Sequence, residues 1–121
     1  MNTNNMECVP ELEKVNKDTV KSLSDWYRSI IEDAMKVTEE QIQEFKTKYV
    51  KRDHIKIFDQ QEPGEQMMMV SLNNLSDDEL TGKSKAMDDI RSKSKKDYNS
   101  AGFEKIKDTL TVLKLFTERQ F

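Results

Sequence analysis

Cysteine, histidine, proline and glycine are all scarce in this chain of 121 residues, which has one Cys, one His, two Pro and three Gly. A lone cysteine, Cys8, forms no intrachain disulfide, and this excludes a small secreted scaffold held by bridges. A lone His54, with no second His or Cys near it in sequence, is a poor start for a zinc site, which takes several Cys, His or carboxylate ligands. Cys8 and His54 as a nucleophile and base have no third residue pattern to support them. Long apolar runs are missing too, and none approaches the ~20 residues that span a bilayer. The segment Met1-Asn2-Thr3-Asn4-Asn5-Met6-Glu7 has neither a basic region nor an apolar stretch, so no secretory signal is expected. These absences lead us to expect a soluble, cytoplasmic (intracellular) protein with no cofactor, no metal and no membrane association.

Charge is what the chain has in quantity. Charged residues make up 36% and hydrophobic residues 35%, a polar balance for one domain of this length. Either the helices are thinly covered or part of the core is borrowed from a partner. The net charge of −3 conceals an asymmetry. Residues 1–80 carry ten Lys/Arg against seventeen Asp/Glu, a net −7, and residues 81–121 carry ten against six, a net +4. Such a layout suits head-to-tail or heterotypic association, although solvated helix faces produce the same sums.

Apolar periodicity organises the first half. Val20, Leu23, Tyr27, Ile30 and Ala34, widened by Trp26, Ile31 and Met35, follow helical spacing, as do Ile42, Phe45 and Tyr49 with Val50 beside them. Thr38-Glu39-Glu40-Gln41 is a capping-box pattern with Val37 and Ile42 as its staple, so the stretch reads as two helices, about 17–36 and 39–51. Asn16 or Asp18 is placed to cap the first. Residues 1–9 read as a polar arm, with Pro10 at a position where a short helix begins.

From Arg52 the period changes. His54-Ile55-Lys56-Ile57 alternates, Pro63-Gly64 is a turn signal, and Met67-Met68-Met69-Val70-Ser71-Leu72 follows. The pattern predicts strands at about 54–59 and 66–72 joined as a β-hairpin. Ser76-Asp77-Asp78-Glu79, with Leu75 and Leu80, gives a second capping box and staple opening a helix at about 77–97. Asn99 or Ser100 then caps a last helix, about 102–119, whose stripe is Phe103, Ile106, Leu110 and Leu113, with Val112 and Phe116 alongside. The expectation is a single small domain, 1–121, mostly α, with about four amphipathic helices and one hairpin at 54–72 between the second and third long helices.

Candidate sites are few. Asp77-Asp78-Glu79 resembles an acidic metal cluster, but consecutive helical residues diverge and the helix dipole accounts for acids there. Gly82-Lys83-Ser84 copies the end of a phosphate-binding loop, yet Asp77 stands where the motif needs glycine. The basic run Lys83, Lys85, Arg91, Lys93, Lys95 and Lys96 has the charge to meet phosphates, but Asp88, Asp89 and Asp97 interrupt it and no aromatic interleaves it. Met67, Met68, Met69 and Val70 are the other candidates for partner binding, because methionine lines adaptable surfaces and three in succession do not all face one core of a hairpin.

No catalytic constellation emerges. The sequence therefore predicts a non-enzymatic protein–protein interaction or assembly subunit, a small structural or adaptor protein in a homo- or hetero-oligomer. A nucleic-acid-associated regulator using helix 83–96 is the first alternative. An acidic protein inhibitor of a nucleic-acid-binding enzyme is the second.

Overall fold

The computed structural model describes residues 17–121, and the polar arm, the helix start at Pro10 and the cap at Asn16 lie outside the described residues. Among the described residues seven α-helices follow one another: α1 (Lys17–Met35), α2 (Glu39–Lys48), α3 (Ile55–Asp59), α4 (Pro63–Asn73), α5 (Asp77–Lys93), α6 (Lys95–Ala101) and α7 (Phe103–Phe116), with a 3₁₀ turn at Arg52–His54 before α3. None is long and apolar enough to cross a membrane.

The two-helix reading of the first half holds. Thr38 Oγ1 accepts from the Gln41 N–H at 3.2 Å and Gln41 Oε1 accepts from the Thr38 N–H at 2.8 Å, so both halves of the capping box form. The chain turns there because Thr38 is extended, with φ −93° and ψ 162°. Leu23, Ile30 and Ala34 of α1 and Ile42 and Phe45 of α2 are buried. Met35, grouped with the apolar stripe by its spacing, instead remains 75% exposed.

The β-hairpin expected over 54–72 is not there, and the described residues contain no strand. Residues 52–59 wind into the 3₁₀ turn and α3. Phe58 is buried while Ile57 is 46% exposed, so Ile55 and Phe58 contact the core at i, i+3 spacing and the alternation was too short to distinguish the two periods. Pro63 begins α4 rather than turning a hairpin. Glu62 is the extended N-cap (φ −66°, ψ 150°), and proline fits the first turn, where its missing N–H would have had no helical partner anyway. Gly64 needs no left-handed conformation, since Gly102 is the only described residue with positive φ.

Helix α4 is the centre of the molecule. It packs against α1, α2 and α7, and Met68, Met69, Val70, Ser71 and Leu72 are buried in succession. Five consecutive buried residues go round more than one turn, which removes the amphipathic signal that would have marked a helix. Unbranched methionine is at ease in a helix and fills irregular gaps between neighbours. Ser71 is accommodated because its Oγ donates to the Ile30 carbonyl of α1 at 3.0 Å.

The helix expected over 77–97 is broken in two. Ser94 (φ −152°, ψ 94°) ends α5 and caps α6, its Oγ accepting from the Asp97 N–H at 3.3 Å. Asn99 and Ser100, expected to cap the last helix, lie inside α6. Gly102 makes the turn into α7 at φ 79°, a backbone state that costs glycine nothing. Beyond α7, Arg119 ties the chain back to the α4–α5 corner. Its guanidinium donates to the Asn73 and Leu75 carbonyls at 3.0 and 2.6 Å and to Asp77 Oδ1 at 3.0 and 2.6 Å.

Candidate functional site

The structure divides the residues expected to bind a partner. Met68, Met69 and Val70 are core residues of α4 at 5%, 1% and 6% exposure, which leaves Met67, half-buried, as the most exposed of the run. The basic run is dispersed. At about 100° per residue, Lys83, Lys85, Arg91 and Lys93 occupy different sectors of α5. Lys83 sits over the Trp26 ring at 5.8 Å, Arg91 over the Tyr98 ring at 5.6 Å, and Lys93 pairs with Asp89 at 3.3 Å. Lys85, Lys95 and Lys96 are exposed, the last two on α6.

An apolar groove of about 350 Å³ opens where the end of α1 meets the start of α4. Ile31, Ala34 and Met35 form one wall and Met67 and Met68 the other, with Gly64 leaving space beside them. The rim is polar: Glu62 is exposed, and Glu65 forms an ion pair with Lys105 of α7. The hydrogen bond from that ammonium to the Glu65 carboxylate raises the Lys105 pKa above its ordinary value. Helix α1 ends just past Met35 because Thr38 restarts the chain, and this leaves the long thioether side chain unopposed at the corner. Spacing alone placed Met35 inside; the proximity of the Thr38 cap was the available signal that it sits at an end.

Two clusters have a chemical look. Lys107 Nζ donates to Ser84 Oγ at 2.6 Å, the contact a serine nucleophile makes with a lysine base. The same ammonium also pairs with Asp88 at 3.1 Å, so it is shared between a serine and a carboxylate. Ser84 also lies in mid-α5, where neighbouring backbone N–H groups are engaged in the helix and unavailable to an oxyanion. The pair is a structural bridge from α7 to α5. The other cluster surrounds Tyr98, whose hydroxyl is buried without a hydrogen-bond partner. Burial first, and the nearby Glu104 carboxylate second, push its pKa up to about 12. The ring is buried and packs edge-on to Phe103 at 5.8 Å.

His54 packs its ring against Phe116 at 5.6 Å, with Nδ1 buried and unpartnered. The described residues contain no group of three or more His, Cys, Asp or Glu side chains arranged to hold a metal ion. No family model, curated protein or solved structure matches the chain.

Proposed function

We propose that the protein is a non-enzymatic interaction or assembly subunit whose partner inserts an apolar side chain into the Met35–Met67 groove. The observation that supports this reading is Met35, the most exposed large apolar side chain among the described residues, standing at 75% exposure beside an apolar hollow. Methionine walls adapt to the shape of what enters, and a polar rim around an apolar floor is the anatomy of a small contact surface. Charge at the rim favours a partner segment with a cationic flank, because Glu62 is exposed there and has no ion-pair partner among the described residues. An amphipathic helix with one large apolar anchor and a neighbouring Lys or Arg meets both requirements.

Mass determination by light scattering, alone and with proteins that co-purify from the native host, tests the reading on wild type and Met35→Glu. The expected result is a complex with wild type that is lost in the variant, while circular dichroism shows the variant still folded. A complex that persists unchanged in Met35→Glu, or a wild-type chain that stays monomeric and alone, removes the groove as the functional surface.

A further inference from the structure

The charge totals of the two halves hide a short cationic stretch in the acidic one. Between Lys46 and Lys56 the chain carries Lys46, Lys48, Lys51, Arg52 and Lys56 against a single acid, Asp53, with Tyr49 set among them. The fold brings a residue of α7 to the same place. The Lys51 N–H donates to the Phe116 carbonyl at 2.7 Å, joining the segment after α2 to the end of α7. Along this seam run two adjoining clefts of about 470 and 400 Å³ that share Lys51, Thr117, Glu118 and Arg119. Lys48 and Tyr49 line one, and Lys114 lines the other.

Tyr49 is 49% exposed, and its ring stacks on Phe45 at 5.8 Å with 29° between the planes. Held by that neighbour, it offers an ordered aromatic surface at the cleft. Lys51, Arg52, Lys56 and Lys114 are exposed and have no carboxylate partner among the described residues, whereas Lys48 pairs with Glu44 and Arg119 with Asp77. Part of this charge answers the ends of α2 and α7, each of which carries a negative partial charge of about half a unit. The acids at hand are Asp53 and Glu118. Lys51 and Lys114 are the unpaired cations that line the clefts, with Glu118 as the acid among the lining residues, and Arg52 and Lys56 add charge on the chain that follows.

We infer that this seam binds single-stranded nucleic acid, with Lys51 and Lys114 meeting phosphates and Tyr49 stacking under a base. A charged groove with an open aromatic is the arrangement that holds a single strand without reading its sequence. An acidic peptide would satisfy the cations, but a nucleic acid strand carries a flat base beside every phosphate, which matches cations set next to an open tyrosine. The basic run on α5 and α6 lacks both features, because its cations are dispersed and the aromatics beneath them are partly or wholly covered.

Fluorescence anisotropy of a labelled oligothymidylate with the full chain tests the inference. Saturable binding at low salt is expected, weakening steadily as salt rises. Lys51→Glu with Lys114→Glu is expected to weaken it by about tenfold or more, and Tyr49→Ala by about threefold or more, while Lys95→Glu with Lys96→Glu retains it. If the double cleft variant fails to fold by circular dichroism, Tyr49→Ala and Lys114→Glu alone carry the comparison. Three results overturn the inference: no saturable binding by wild type, equal loss from the α6 variant, or competition by polyglutamate as strong as by unlabelled oligonucleotide. The last would make an acidic peptide the ligand.

Discussion

The Trp26 indole, half-buried between α1 and α5, needs an acceptor for its Nε1–H, and the Glu79 carboxylate accepts it at 2.9 Å. Glu79 is therefore not free to return to the Ser76 backbone. Ser76 still caps α5, its Oγ accepting from the Glu79 N–H at 3.1 Å, but the reciprocal half of the expected capping box is absent among the described hydrogen bonds. Local spacing showed the cap; it had no means of showing a rival partner 53 positions away. Tyr98 is a second residue whose cost is tertiary. Its folded pKa of about 12 stands above the ordinary 10.0, so the unfolded chain gives up this proton first as pH rises. The contribution to stability is fully present below pH 10 and is lost as pH climbs toward 12. Tyr98→Phe removes a buried hydroxyl that has no partner, so urea unfolding at neutral pH is expected to show unchanged or slightly greater stability. The alkaline fall in stability is expected to be shallower in the variant than in wild type. An identical alkaline profile would show that Tyr98 ionises as freely in the fold as outside it.

At the level of elements, the decisive case is α4. A hairpin and a helix make opposite demands on Gly64. A Pro-Gly turn would hold the glycine at positive φ, where alanine is strained, whereas the first turn of α4 leaves ordinary helical backbone with open space around a new Cβ. Gly64→Ala is thus expected to stabilise the protein by about 0.4–1 kcal/mol in urea unfolding. Gly102→Ala is expected to do the reverse, because φ is +79°, a backbone state that strains any residue with a Cβ. A destabilising Gly64→Ala would argue against α4 starting at Pro63. Helices with one wet face were legible in the sequence because burial left a stripe: α1, α2 and α7 all showed it. Helix α4 was not, since neighbours bury it on several sides, and Pro63 has a place both in turns and in first helical turns. The break at Ser94 had a visible signal, a serine three residues before an aspartate, hidden by the lysines around it.

For the molecule as a whole, the burial of Met68, Met69 and Val70 changes what the chain requires. These residues complete the core rather than needing a partner to cover them, so the polar composition reflects thinly covered helices around α4. The candidate contact surface contracts to the corner where α1 stops, α4 starts and Met35 projects. Of the residues expected to bind a partner, Met67 and Met68 line that groove; the sequence located this wall and grouped Met35, on the other, with the apolar stripe of α1. The clustering of Lys51 with Lys114 was not legible either, since nothing local joins positions 63 residues apart until α7 packs beside the end of α2.

The claim that the Met35 corner is the protein's contact surface meets its most direct test in site-specific photo-crosslinking within the native host. A photoreactive residue is placed at position 35, and for comparison at position 115, where Leu115 is also apolar and 54% exposed but lies on α7 away from the groove. One defined adduct from position 35, identified by mass spectrometry, is expected, and its absence from position 115. No adduct from position 35, or the same adducts from both positions, would contradict it.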